Sequence, residues 1–208
     1  MDIQSIFHIL KNHKPFILGH EQFFKSAVLL PLVEKEDGLH ILFEVRSLQL
    51  NRQPGEICFP GGKKDEQDAT EKDTAIRETT EELGILTSQI KHVYPIDFMA
   101  TPFGMIVYPF VGVIDKEAAI QPNEEVEEVF TVPLSYFLET KPKIHYINFK
   151  IEPEENFPYD LIVGGKDYDW RARKLPEIFY QYDGKVIWGL TARILTHFVE
   201  LMKKNDGK

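Results

Sequence analysis

Cysteine is almost missing from this chain: Cys58 is the single one in 208 residues. No internal disulfide can form, and the composition suits a reducing compartment, so the expected location is cytoplasmic. Cys58 lies in an apolar run and reads as packed rather than reactive. No stretch approaches the roughly 20 apolar residues that span a bilayer, and the amino-terminal residues show no signal-peptide pattern, so no membrane association is expected. Positive charge is scarce too. Lys and Arg number 24 against 33 Asp and Glu, a formal charge of -9 at pH 7. That balance fits poorly with a nucleic-acid backbone as partner. The 7 histidines are scattered without metal-ligand spacing, which argues against zinc. The chain lacks a Gly-x4-Gly-Lys-Ser/Thr phosphate loop, a Gly-x-Ser-x-Gly elbow, internal repeats and low-complexity tracts.

What is present reads as one domain over residues 1–208, long enough to bury a core. Hydrophobic residues make up 43% and aromatics 12%, which excludes a disordered chain. Residues 1–13 read as an amphipathic helix with Ile3, Ile6, Phe7 and Leu10 on one face. Ala27–Val33 and Leu39–Val45 form a hairpin about Glu36-Asp37-Gly38. Further strands are expected at Val93–Phe98, Met105–Ile114, Val129–Val132 and His145–Ile151. A second hairpin joins Glu177–Tyr182 to Lys185–Trp188 about Asp183-Gly184. Thr191 is expected to cap a closing helix whose inner side carries Leu190, Ile194, Phe198, Leu201 and Met202, with Lys203–Lys208 as a frayed tail. Glu152–Pro176 is polar and irregular yet carries Phe157, Tyr159, Tyr168 and Trp170. It reads equally as a lid, a binding loop or interface element, or a surface loop without a role.

The most informative segment runs from Phe59-Pro60-Gly61-Gly62 to Arg77-Glu78-Thr79-Thr80-Glu81-Glu82-Leu83-Gly84-Ile85. On a helix, Glu81 sits about 60° to one side of Glu78 and Glu82 about 40° to the other, so the three carboxylates share one arc. Ile76 and Leu83 point the opposite way, toward a core. Such a face is often merely solvated, where like charges cost only about 0.2–0.5 kcal/mol. Partly enclosed, carboxylates about 5 Å apart repel by about 3 kcal/mol per pair, and a hard divalent cation would then be needed to keep them ionised. Asp68 followed by Glu71 reads as a helix N-cap with its reciprocal carboxylate, and Gly84 as a left-handed stop. Arg77 can reach back and orient a carboxylate through its planar fork.

This order of elements resembles the Nudix box, Gly-x5-Glu-x7-Arg-Glu-U-x-Glu-Glu-x-Gly-U with U apolar, running here from Gly62 to Ile85. Two positions depart from it. The box Glu falls on Asp68, with eight rather than seven residues before Arg77, and Thr79 replaces an apolar residue. Upstream, Arg46-Ser47, Gly55 and Phe59–Gly62 fall in register with the signature of the coenzyme A pyrophosphatase branch, Leu-Leu-Thr-x-Arg-Ser-x3-Arg-x3-Gly-x3-Phe-Pro-Gly-Gly. Its second Arg falls on Asn51, with Arg52 one residue later. Glu125-Val126-Glu127-Glu128-Val129-Phe130-Thr131-Val132-Pro133-Leu134 and Gly189-Leu190-Thr191-Ala192 are similar to the same branch.

The resemblance implies an α/β/α sandwich with a mixed central sheet and metal-assisted hydrolysis of a diphosphate bond. Mg2+ or Mn2+ would be held by Glu78, Glu81 and Glu82, with Arg77 fixing a ligand carboxylate. Glu78, Glu82 and Glu125 stand as candidates for the general base, with Glu125 alternatively a further metal contact. Arg46, Arg52, Gly61 and Gly62 are the expected substrate contacts, with room for phosphate oxygens at the two glycines. Lys63 and Lys64 are expected to be exposed. For this branch the substrate is coenzyme A or a thioester, giving 3′,5′-ADP and 4′-phosphopantetheine. ADP-ribose, a dinucleoside polyphosphate or a damaged nucleotide is the alternative within the enzyme class. A non-catalytic nucleotide-binding module is the alternative outside it, and a homodimer is left open.

Overall fold

The computed structural model of the chain describes residues 2–171 and 173–205. Its spine is a pair of long strands, β1 (Phe24–Lys35) and β2 (Gly38–Arg46), joined through a turn at Glu36-Asp37. Their antiparallel register runs from Lys35↔Gly38 to Leu32↔Ile41. Beyond that point they part. β3 (Ile57–Cys58) pairs with β2 at Glu44 and Val45, while β4 (Gly61–Lys63) pairs with β1 from Ser26 to Val28. Residues 57–63 therefore form a wedge between two strands that are direct neighbours further along. Pro60 lacks an N–H for any ladder and sits where the wedge changes partner, its carbonyl accepting the Leu29 N–H at 2.9 Å.

Four more strands complete this sheet: β5 (Ile90–Pro95), β6 (Met99–Ala100), β7 (Met105–Ile114) and β8 (Val126–Pro133). β7 runs parallel to β1 from Phe24↔Met105 to Val33↔Ile114, and the other pairings are antiparallel. The sheet is thus mixed. β1 and β7 are nearly continuous apolar runs because both of their faces are covered.

One face is covered by α2 (Glu71–Leu83), whose Ala75 and Leu83 pack with Ala27, Leu29, Leu42 and Phe110. The other carries α3 (Leu134–Glu139), α4 (Gly189–Asn205) and a second sheet of β9 (Lys143–Phe149), β10 (Arg173–Tyr182) and β11 (Lys185–Trp188). Strand alternation sorts the two cores: Leu42 faces α2, while Phe43 faces α3 and α4. Phe43 stacks on Phe59 and Phe130 at 5.1 and 5.5 Å and tilts against Phe137 at 5.9 Å. The result is the α/β/α layering, with a mixed central sheet, that the resemblance implies.

Several local expectations are corrected. The N-cap of α2 is Thr70, in a capping box with Asp73, and Asp68 lies in the loop before it. Gly84 does end the helix in the left-handed region, φ 63°. Thr191 lies inside α4 and donates to the Ile57 carbonyl at 3.1 Å, tying that helix to the wedge. The inner side of α4 is completed by Leu195 and Val199, while Met202 is exposed. Lys203, Lys204 and Asn205 are helical, and the rest of the expected tail, Asp206–Lys208, lies outside the described residues. α1 (Ile3–Asn12) forms as its periodicity predicts, yet buries no residue.

Between β9 and β10 the irregular segment carries two 3-10 turns and a knot of rings, Phe157 on Tyr159 and Trp170, and Tyr168 on Trp170. Its last residues, from Arg173, already belong to β10.

Removing the ring at the centre of the α4-side core should be the most damaging truncation of that layer. Phe43→Ala is expected to lower stability by about 3–5 kcal/mol, read from the midpoint of a denaturant titration.

Candidate active site at the parting of two strands

The wedge and α2 face each other, and the chemistry collects between them. Leu83, fully buried, and the half-buried Ile76 hold α2 on the sheet, which turns Glu78 and Glu82 toward the wedge. Glu82 is 3% exposed and accepts the Gly61 N–H at 2.8 Å. Close approach explains both glycines. A Cβ on Gly61 would run into the Ala27 carbonyl and Val28 of β1, and one on Gly62 would overlap the Glu78 carboxylate. The room expected for phosphate oxygens is thus filled at Gly61 by Glu82 and at Gly62 by Glu78.

Arg77 organises the outer edge of the site. Its Nε and Nη2 donate to the two carboxylate oxygens of Asp68, each at 3.0 Å, a planar two-point pairing. Nη2 also reaches Glu78 at 2.9 Å and Nη1 reaches Glu81 at 3.0 Å. Asp68 is buried, accepts the Asp65 N–H at 2.9 Å, and anchors Arg77 instead of capping the helix. The Arg77 hydrogen bonds hold the Asp68 carboxyl well below the usual range, and Asp68 in turn keeps Arg77 firmly protonated. Glu81 is exposed. The buried Thr79 occupies the expected apolar position by donating its hydroxyl to the Ala75 carbonyl at 2.6 Å.

A carboxylate that the sequence reading did not single out completes the group. Glu44 on β2 is 1% exposed, and its Oε1 accepts the Cys58 Sγ–H at 3.2 Å across the β2–β3 pair. The signal was available: Glu44 stands alone between Ile41-Leu42-Phe43 and Val45, where the branch signature counted back from Arg46 has Thr. The Ser47 N–H donates to the Glu125 carbonyl at 2.8 Å, which draws the loop before β8 alongside. Glu125 itself is exposed.

The electrostatics follow from this packing. Burial pushes the Glu82 carboxyl up to about 9, with repulsion from Glu44, Glu78 and Glu125 adding to it. Burial likewise pushes Glu44 up to about 7, with Glu125 and Glu78 again adding and Arg46 and Cys58 opposing. Glu78 is raised by burial and lowered by Arg77. The Cys58 thiol is pushed up by burial and by Glu44, so it stays protonated, in line with its reading as unreactive.

Arg46 and Cys58 line a cleft of about 350 Å³, together with Phe103, Leu175, Trp188, Thr191 and Arg193. Arg193 is paired to Glu177 at 3.0 Å, whereas Arg46 forms no ion pair among the described residues. Arg46 Nε reaches the Arg52 carbonyl at 3.4 Å. Arg52 is exposed, and neither it, Gly61 nor Gly62 lines the cleft. Lys64 pairs with Glu71 at 3.3 Å and is half-buried, while Lys63 is exposed as expected.

Among the described residues, no three acidic, histidine or cysteine side chains close around one point as a ready-made metal site. The donor set nevertheless fits a hard divalent cation. Glu44 Oε2 is buried with no hydrogen-bond partner, and Gly62 leaves a cradle for the Glu78 carboxylate. Glu78, Glu81 and Glu82, the residues that would hold such an ion, supply oxygen donors only.

Carboxyl groups raised on folding add stability below about 4.5 and lose it as pH rises through their folded values, here about 7 to 9 for the coupled pair. In chelator, the melting temperature should fall from pH 5 to pH 9, and Glu82→Gln should flatten that fall. Equal slopes for the two proteins would show that the pair does not govern it.

Comparison with known proteins places this geometry. The NUDIX domain model matches residues 24–151. The peroxisomal coenzyme A diphosphatase NUDT7 of Mus musculus is 44% identical over 126 residues, covering 59% of this chain and 51% of that protein. The mitochondrial coenzyme A diphosphatase NUDT8 of Homo sapiens is 36% identical over 182 residues, covering 85% and 69%. The Nudix hydrolase NudL of Photorhabdus laumondii is 30% identical over 171 residues, covering 82% and 80%. Against NUDT7 and the Arabidopsis thaliana Nudix hydrolases 22 and 15, the chain spans about half of the relative's length, 51%, 53% and 56%. Among the described residues, no helix is long and apolar enough to cross a membrane. With the family model matched over the wedge, the acidic helix and both flanking strands, this chain belongs to the Nudix family.

Proposed function

We propose that the chain hydrolyses the diphosphate bond of coenzyme A or its thioesters, giving 3′,5′-ADP and 4′-phosphopantetheine or its acylated form. The observation that carries this reading is the junction at Arg46. Arg46 lines the cleft and its charge also bears on Glu44, so one cation joins the cleft to the buried carboxylates. The coenzyme A diphosphatases among the relatives support the substrate class.

Glu78, Glu81 and Glu82 would hold Mg2+ or Mn2+. Such an ion, when bound, neutralises charge on phosphate oxygens and makes a water more acidic. The chain's own groups do the rest. Asp68 fixes the plane of Arg77, and Arg77 fixes Glu78 and Glu81. Arg46 is the cation for the nucleotide end of the substrate, with Arg52 beside it. A base is needed for the attacking water's proton. Glu82 spends Oε2 on the Gly61 N–H, which leaves Glu78 and the exposed Glu125 better placed than Glu82 for that role. A single cysteine, which can form no internal disulfide, suits a reducing compartment such as the cytoplasm.

Three measurements test the reading. Glu81→Gln and Glu82→Gln should each lower the rate on the order of a thousandfold at limiting Mg2+ while the fold survives. Near-normal rates in both would remove the helix from the chemistry. Arg77→Lys loses the planar fork and should lower kcat, whereas Arg46→Ala should raise KM, and a reversed pattern would exchange their roles. The 3′-phosphate of coenzyme A needs specific cations on so acidic a chain, and Lys166, Arg171, Arg173 and Lys174 are further candidates beside Arg46 and Arg52. A charge-assisted contact of about 1.5–3 kcal/mol gives a preference of roughly tenfold to hundredfold in kcat/KM over dephospho-coenzyme A and ADP-ribose, falling as salt rises. Equal values for the three compounds at two ionic strengths would leave a Nudix hydrolase without the coenzyme A assignment.

A further inference from the structure

Strand β2 carries a carboxylate into the site from the side opposite α2. Alternation places Glu44 on the same face of the sheet as Leu42, which packs on Ala75 and Leu83 of α2, and two residues closer to the end where β1 and β2 part. The wedge then closes over it. Cys58 pairs with it across β2 and β3, and Glu82 is held at the adjoining Gly61. Glu44 is sealed from solvent at 1% exposure, yet half of its carboxylate is unprovided for. Oε1 takes the Cys58 thiol, and Oε2 has no partner among the described residues.

A buried polar atom without a partner is uncommon and asks for an explanation. A water would satisfy that oxygen but brings no positive charge, and neither Glu44 nor Glu82 has an ion-pair partner among the described residues. A cation answers both needs at once, since it takes a lone pair from Oε2 and offsets the negative charge around it. We propose that Glu44 is a further ligand of the divalent cation that α2 holds, so that the ion is gripped between a helix and a strand and not by the helix alone. This rests on the metal-dependent reading above, and it adds a donor at the place where the branch signature has Thr.

The test is Mn2+ binding to chelator-stripped protein without substrate, with free Mn2+ read by electron paramagnetic resonance. Glu44→Gln keeps an oxygen for the Cys58 thiol and removes the charge. It should weaken Mn2+ binding by about tenfold to a hundredfold, the loss seen when even a supporting residue of a metal site is removed. Its melting temperature in chelator should equal or exceed that of the parent, since a buried like charge is gone. Glu44→Asp separates coordination from field. It keeps the charge but is one methylene too short, so a ligand role predicts that it binds Mn2+ as weakly as Glu44→Gln. Affinity within about twofold of the parent in Glu44→Gln, or restored in Glu44→Asp, would overturn the assignment. So would a parent protein that binds no Mn2+. If Glu44→Gln does not fold, Glu44→Asp alone decides, by the same two outcomes. Running the three proteins on coenzyme A keeps the readings apart: loss of Mn2+ binding in the variants with no hydrolysis by the parent would remove the substrate assignment and leave the ligand in place.

Discussion

Between Leu32 and Val28, strand β1 exchanges partners, leaving β2 for β4, and residues 57–63 fill the gap that opens. This exchange is what makes the interior of a sheet chemically useful. A continuous β1–β2 ladder would consume the backbone groups and bury only side chains that pack. With the ladder opened, the Gly61 N–H becomes free to meet Glu82, and Glu44 gains a neighbour in Cys58. The parting also sets which residues can follow. Gly61 must pass close to the Ala27 and Val28 backbone, Gly62 must leave space for Glu78, and Pro60 must sit where no ladder donor is wanted.

Such a site must also fold before any cation arrives, although its carboxylates repel one another. Two features offset the repulsion. Arg77, tied to Asp68 at two points, sets a fixed positive charge against Glu78 and Glu81. Uptake of protons by the buried pair lowers their charge in its absence. The aromatic core on the other face of the sheet, centred on Phe43, adds its packing to that of the apolar cluster under α2.

Much of this was legible from residues in order. The strand Met105–Ile114 was bounded by its apolar run, both hairpins by Asp-Gly turns, and the acidic arc of α2 by its period against Ile76 and Leu83. Glu78, Glu82 and Arg77 lie on one helix, so their nearness was local arithmetic. The misses have a common cause in contacts distant along the chain. Asp68-x-x-Glu71 and Thr70-x-x-Asp73 are both capping patterns, and the pull of Arg77 on Asp68 decides between them. α3, six residues after Pro133, is too short to show a period. Glu44 in a strand looks like any outward-facing acid until the wedge is seen to cover it.

The segment between β9 and β10 has a different significance. Its two ends are pinned together where Phe149 pairs with Arg173, and its rings pack on one another. A loop closed at its base in this way changes length cheaply, since each doubling adds only about 0.6 kcal/mol of closure entropy. Insertions and deletions there leave the register of both sheets untouched. That makes this hairpin the part of the scaffold most open to evolutionary drift, and the place where homologous chains can diverge in outline while the wedge and its carboxylates stay as they are.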